Sequence, residues 1–217
     1  MPYKLVCFDV DGTLIDNCTF SWQLFHDYFK TDKTRREAAK QEFLSGNITY
    51  EEWAQHDAQL WKEKKATKNE FLKALDSVSL MPGAMETLTA LKKKGFKLAI
   101  ISGSLDILLE KHIPDYETFF DDIFISHLFF DKNGVVERIQ ATKFDMEKKA
   151  EALKIIAKRE NIRLEECVFV GDYLNDIKIM QEAGLGIAFN CRHDELKKVA
   201  NVVVEGKDLK AILPHIL

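Results

Sequence analysis

Tyr3-Lys4-Leu5-Val6-Cys7-Phe8-Asp9-Val10-Asp11-Gly12-Thr13-Leu14 decides how the rest of the chain is read. An apolar run ends in two carboxylates one residue apart, followed by Gly-Thr. In an extended chain residues i and i+2 project to the same side, so Asp9 and Asp11 can meet one reacting centre. The end of such a strand is also where ligands dock on open parallel sheets. Two close carboxylates repel and lose hydration on burial, so a fold that keeps them there has a cation or a reaction for them. The plainer alternative is a turn in which both acids only cap the chain beside Gly12.

Beyond residue 80 short apolar runs alternate with longer helical patterns, the signature of an α/β sheet. Strands are predicted at Lys4–Phe8, Lys97–Ile101, Asp122–Ser126, Cys167–Val170, Leu185–Ala188 and Asn201–Val203. Helices are predicted near Ala84–Lys94, Ser104–His112, Asp145–Glu160, Asn175–Ala183, Asp194–Val199 and Lys207–Leu213. Gly95, Asn161 and Gly184 are suitable helix stops. Lys132-Asn133-Gly134 between two apolar segments predicts a hairpin.

From about Asp16 to Ser79 this alternation stops. The stretch has no convincing strand yet holds all three tryptophans, Trp22, Trp53 and Trp61. Capping boxes are predicted at Thr34…Glu37, Thr49…Glu52 and Thr67…Glu70, where each Thr and Glu would satisfy free N–H groups reciprocally. With a first helix near Phe20–Phe29, this is a four-helix insertion after the first strand. Its aromatic stripe of Phe25, Tyr28, Phe29, Trp53, Trp61 and Phe71 predicts a small core internal to the insertion rather than a ligand box.

Further polar clusters fall at predicted strand ends. Ser102-Gly103-Ser104 follows Leu98–Ile101 and offers a hydroxyl with flexible backbone, suited to an anion at a helix start. Gly171-Asp172-Tyr173-Leu174-Asn175-Asp176 follows Val168–Val170, with two acids four residues apart. Lys149 shares a helix face with Leu153 and Ile156, so its stem can lie at the buried edge; Lys148 is less clearly placed. Four carboxylates meeting near one ammonium call for a hard divalent cation with oxygen ligands, and Mg²⁺ commonly works with phosphate. There is no His/Cys cluster for zinc, no P-loop and no dinucleotide fingerprint.

The 217 residues carry a net charge of −4, which gives no basic footprint and predicts no nucleic-acid partner. No apolar run reaches the ~18 residues of a membrane span. Cys7, Cys18, Cys167 and Cys191 show no CxxC spacing, and Cys7 and Cys167 are expected as buried thiols. With a core strand almost at the first residue, leaving no room for a signal peptide, a soluble cytoplasmic protein is expected, with no membrane partner. The chain gives no sign that separates a monomer from a homodimer.

Asp9-Val10-Asp11-Gly12-Thr13, Ser102, Lys149 and Gly171-Asp172-x-x-Asn175-Asp176 resemble, in order, the four motifs of the haloacid-dehalogenase-type phosphatase superfamily. The last third, from Val170 to Asp176 and from Ala183 to Asn190, is similar to its phosphoserine phosphatase branch. The resemblance implies a Rossmann-like parallel-sheet core, three-layer α/β/α, with an inserted α-helical cap: residues 1–15 and 80–217 as core and 16–79 as cap. It implies a Mg²⁺-dependent phosphatase acting on a small phosphorylated metabolite through an aspartyl-phosphate. Asp9 would be the nucleophile and Asp11 the general acid and base. Asp9, the Asp11 carbonyl and Asp172 would hold the metal, and Ser102 and Lys149 the phosphoryl oxygens. Asp176, Gly103 and Asn175 would support them. The same motifs serve phosphotransferases and mutases, and a catalytically silent phosphate-binding protein is a further alternative.

The chain departs from that branch in the cap. Where the branch has a cap Glu stands Cys18, and where it has a cap Arg lie Gln55–Asp57. Arg35 and Arg36 are predicted on an exposed helix start. Cys18, Trp22, Trp53, Gln55 and His56 are candidates to line a different pocket. Ser104-Leu105 replaces a common Gly-Phe.

Overall fold

The structure, a computed structural model, describes residues 3–217, the side chain of Glu147 excepted. Strands are β1 (Leu5–Phe8), β2 (Ile15–Asp16), β3 (Ser79–Leu80), β4 (Lys97–Leu105), β5 (Asp122–Phe130), β6 (Val136–Gln140), β7 (Cys167–Gly171), β8 (Leu185–Phe189) and β9 (Val202–Val204). Seven form one sheet in the order β6-β5-β4-β1-β7-β8-β9, parallel except for β6. The chain moves from β1 to β4 on one side and later to β7 on the other. The C-terminal end of β1 is therefore the crevice where ligands bind in such sheets.

Alternation along the strands sorts side chains to two faces. Val6, Phe8, Leu98, Ile100, Val168 and Val170 belong to one apolar cluster, whereas Leu5, Cys7, Ala99, Ile101, Cys167 and Phe169 belong to the other. Each fully buried Leu or Phe is worth about 1.5–3 kcal/mol. Both faces are covered by helices, which accounts for the unbroken apolar character of the central strands. The helices are α1 (Ser21–Phe29), α2 (Lys33–Leu44), α3 (Tyr50–Glu63), α4 (Lys68–Ala74), α5 (Ala84–Lys93) and α6 (Asp106–His112), then α7 (Tyr116–Phe119), α8 (Lys149–Arg159), α9 (Ile177–Glu182), α10 (Asp194–Val199) and α11 (Leu213–Ile216). No helix among the described residues is long and apolar enough to cross a membrane. All four cysteines are buried free thiols.

Helices α1 to α4 make up the segment expected to be the cap, entered and left through the antiparallel pair β2–β3, Ile15 opposite Leu80. The capping boxes at Thr49–Glu52 and Thr67–Glu70 are present. The one expected at Thr34 is not: α2 begins two residues earlier, with Asp32 accepting from the Thr34 and Arg35 amides. The aromatic stripe is also not a core of its own. Trp22, Phe25, Trp61 and Phe71 join the same apolar cluster as Phe8 and Val10, and Phe71 packs edge-on against Phe130 of β5. Main-chain bonds from Lys68 to Gly134 and from Val136 to Ala66 tie the cap to the β5–β6 hairpin. Cap and hairpin edge are thus stitched together as well as packed.

Two boundaries moved for a reason that matters to the site. β4 runs on through Ser102, Gly103 and Ser104, and α6 starts only at Asp106. Ser102 therefore stands on extended backbone, not at a helix N-terminus. Likewise Asp145 to Lys148 form a cap and a 3₁₀ turn before α8, and Leu174–Asp176 form another before α9. Gly184 is not a left-handed stop: a Cβ there would lie 2.1 Å from the Glu165 carbonyl oxygen, so close packing keeps it small.

Candidate active site

Phe8 pairs with Ile100 of β4 and Val170 of β7, so the residues just past these pairs meet at one sheet end. Asp9 is anchored there by its amide donating to the Val170 carbonyl. The chain then turns sharply, with the Val10 carbonyl accepting from the Thr13, Leu14 and Ile15 amides. Gly12 is left-handed at φ +75°, and a Cβ on it would lie 2.1 Å from Asp172 Oδ2. A side chain at position 12 would both strain the backbone and evict that carboxylate. Thr13 Oγ1 donates to Asp172 Oδ1 at 3.2 Å.

Lys149, 1% exposed, is the centre of the charge network. Its ammonium lies 2.7 Å from Asp176 Oδ1 and 3.0 Å from Asp9 Oδ1. Lys148 is exposed, which separates the two lysines. Burial alone would lower the Lys149 ammonium, but the charges of Asp176 and Asp9 outweigh it and hold the group above its ordinary value. An ammonium has three donors, and only the one to Asp176 Oδ1 is spent in a hydrogen bond, which leaves donors for a further oxygen. The second oxygen of Asp176 accepts from the Asp172 and Tyr173 amides, fixing the turn that carries Asp172.

Carboxylate oxygens of Asp9, Asp172 and Asp176 lie within 4.8 Å of one another. One lysine does not neutralise them. Asp172 is held well above the usual carboxylate range by burial, with the charges of Asp9 and Asp176 adding to it. Asp9 Oδ1 lies near Lys149 yet has no hydrogen-bond partner. These observations fit a hard cation with oxygen ligands. Both Asp176 oxygens are already engaged, so the donors that fit it are Asp9 and Asp172.

Asp11 has a different environment. Its Oδ2 accepts from the Ser21 amide and its Oδ1 from Ser104 Oγ, both at 2.7 Å, and the two serine hydroxyls lie 3.1 Å apart. Burial pushes its carboxyl up to about 6, against the hydrogen bonds from Ser104 and Ser21 and with the Asp9 charge. Two carboxylates one residue apart thus face different tasks: Asp9 is paired with an ammonium and Asp11 is held by neutral donors.

A cavity of about 310 Å³ opens between this sheet end and the cap. Asp9, Asp11, Ser102, Gly103 and Asn175 line its floor, whereas Lys149, Asp172 and Asp176 are not on its wall. Ser102 is 1% exposed and its Oγ accepts from the Ser104 amide at 3.2 Å. Of the cap candidates, Trp22 and Trp53 line the cavity; Cys18, Gln55 and His56 do not. Gln55 instead donates to the Ile139 carbonyl and to Glu51. Arg36 is not on an exposed face: it reaches Asp57 Oδ2 at 3.5 Å and bonds Gln23, while Arg35 pairs with Glu63 at the surface.

Several site residues escaped sequence reasoning. Asp145 accepts from the Tyr50 hydroxyl at 2.8 Å and from Asn175 Nδ2 at 3.1 Å, linking cap to floor. It also stands against Gly103, where a Cβ would lie 2.0 Å from its Oδ2. Ser21, which holds Asp11 together with Ser104, carried no local signal, and Ser104, 83 residues away, was read only as part of the Ser102-Gly103-Ser104 cluster. Asp57, buried in the cap, carried none either.

A model of the haloacid dehalogenase-like hydrolases matches residues 3–184 of the chain. A phosphoserine phosphatase from Methanocaldococcus jannaschii is 33% identical, over 98% of this chain and 97% of that protein. Among solved structures, a phospho-aspartyl intermediate analogue of phosphoserine phosphatase matches with TM-score 0.75 at 29% identity, covering 99% of each chain. A substrate-bound phosphoserine phosphatase complex matches with TM-score 0.76, also at 29% identity and 99% of each chain.

Proposed function

Because the chain belongs to the haloacid dehalogenase-like hydrolase family, we propose that it is a Mg²⁺-dependent phosphatase that hydrolyses a small phosphorylated metabolite through an aspartyl-phosphate on Asp9. One observation carries this reading: the buried Lys149 ammonium stands between Asp9 and Asp176, beside Asp172, on the ends of adjacent strands. A cluster of that kind serves an incoming anion and an in-line attack.

An Asp9 carboxylate oxygen attacks phosphorus, and the bond from phosphorus to the ester oxygen breaks. The electron pair goes to that oxygen, which takes a proton from the Asp11 carboxyl. Asp11, now a carboxylate, removes a proton from water. The water oxygen attacks phosphorus, phosphate leaves and the Asp9 carboxylate is restored. A carboxyl titrating near 6 suits both halves of this exchange. Ser102 and a free donor of Lys149 bind the phosphoryl oxygens, and Asp176 keeps Lys149 in place. Asp9, Asp172 and the Asp11 main-chain carbonyl would hold Mg²⁺, which supplies positive charge at the phosphoryl oxygens. Residues 16–79 act as the cap that excludes bulk water, closed over the floor through Tyr50 and Asp145.

A phosphate-release screen over sugar phosphates, nucleotides, phosphoserine, phosphoglycolate and phosphocholine-like esters, with Mg²⁺ and with chelator, tests the reading. Release from at least one ester, abolished by chelator, is expected. No Mg²⁺-dependent release from any of them overturns it.

A further inference from the structure

The floor of the cavity takes the phosphoryl group; its cap side has a different chemistry. Phe20, Trp22, Tyr50 and Trp53 line the cap side, Trp22 reaching down to donate to the Gly103 carbonyl, and Asp57 is the acid among them. Asp57 is 1% exposed. His26 Nε2, at 3.0 Å, and Arg36, at 3.5 Å, both approach its Oδ2. Its Oδ1 has no hydrogen-bond partner. A buried acceptor left without a donor is costly, and aromatic faces carry negative charge density. Both conditions are relieved by one kind of group, a ligand cation.

Resting on the phosphatase reading above, we infer that the leaving group is a cationic amino alcohol without a carboxylate. The phosphate lies on the floor at Asp9 and the ammonium lies among the cap rings beside Asp57 Oδ1. A bare carboxylate on the leaving group would face Asp57 directly. Arg36 is engaged with Asp57 and Gln23 and is not on the cavity wall. Two residues with free donors also line the cavity, Lys40, whose half-exposed ammonium is 3.7 Å from Glu37, and Trp53, whose Nε1 has no partner. Whether they read a carboxylate is decided by including phosphoserine in the comparison.

The experiment measures kcat/KM of the full chain with Mg²⁺ for five esters. Phosphoethanolamine is compared with its neutral isostere propyl phosphate, phosphocholine with 3,3-dimethylbutyl phosphate, and phosphoserine with phosphoethanolamine. At least one ammonium ester is expected to exceed its isostere by about tenfold or more. Phosphoserine is expected to fall below phosphoethanolamine. Asp57→Asn should collapse the ammonium-to-isostere ratio toward one. Trp53→Leu should lower it several-fold, and Trp53→Phe, which keeps a π face, should restore most of it. Ratios near one in the unaltered protein, or a preference for phosphoserine over phosphoethanolamine, overturn the inference, whatever the variants do. In either case hydrolysis of the neutral esters leaves the phosphatase reading standing. That reading fails separately, if no ester in the wider screen above releases phosphate with Mg²⁺.

Discussion

The floor of the cavity and its roof solve opposite problems. The floor has Asp9 on its surface and Lys149, Asp172 and Asp176 just behind it, brought together from the ends of β1 and β7 and the start of α8, with Lys149 and Asp176 almost fully buried. Charge is concentrated there and held by short contacts, so the groups are oriented before any ligand arrives. The roof comes from α1, α2 and α3 and is mostly aromatic surface, with one buried acid. The floor fits a reaction common to many esters; the roof fits the part of the ester that differs. A fold can therefore keep one chemistry while the cap changes what is admitted.

The largest effect that can break this division is at the proposed nucleophile, Asp9. Asp9→Asn is expected to reduce turnover of every ester by at least about 10⁴-fold, as removal of a nucleophile does elsewhere. Steady-state phosphate release checks it; near-full activity would remove Asp9 from the mechanism. Lys149→Ala leaves Asp9 and Asp176 as buried charges without their counter-ion. Breaking a buried pair in this way costs about 3–5 kcal/mol, so urea unfolding should show a lower midpoint as well as lost activity. A roof substitution with an equal stability cost and unchanged substrate preference would argue that the roof, too, is only structural.

Gly12→Ala sits between these. Left-handed backbone costs a non-glycine residue about 1–2 kcal/mol, and the methyl would displace Asp172. The Mg²⁺ concentration for half-maximal activity is expected to rise at least tenfold, more than KM for the ester. Tyr50→Phe removes the hydrogen bond to Asp145 that joins roof to floor. A bond to a charged group is worth about 1.5–3 kcal/mol, and kcat/KM should fall about tenfold for all esters alike. A change confined to one ester would place Tyr50 in substrate selection instead of closure.

The smallest effect concerns pH. With Asp11 pushed up to about 6 and Asp172 also raised, the folded metal-free protein keeps protons that the unfolded chain has already released. The stability contributed by these groups therefore falls as pH rises from about 4 through 6. At the proposed metal site Asp172 must ionise to hold Mg²⁺, so the metal should raise Tm more at pH 7 than at pH 5. Thermal melts with and without Mg²⁺ at both pH values would show it; an equal rise at both would contradict it.

The floor was legible because its residues follow apolar strand runs in sequence. Asp9, Ser102 and Asp172 each come just after a strand-like segment, and strand ends converge in a parallel sheet. Lys149 was readable from its helical spacing with Leu153 and Ile156. The roof was not legible, because helix faces from a separate insertion meet the sheet at angles no local pattern encodes. Arg36 looked like part of a solvated run, yet it turns inward to Asp57, 21 residues away. The start of α6 was misread because Ser102-Gly103-Ser104 has the composition of a helix cap, while pairing with β5 keeps it extended as far as Leu105.

The central claim is a covalent phosphate on Asp9. Turnover of a ³²P-labelled ester with Mg²⁺ is quenched in acid, and the trapped protein is reduced with borohydride and mapped by peptide mass spectrometry. The expected result is label lost to hydroxylamine and homoserine at position 9. Label on Ser102, or hydrolysis of the ester with no label on the protein, would contradict it.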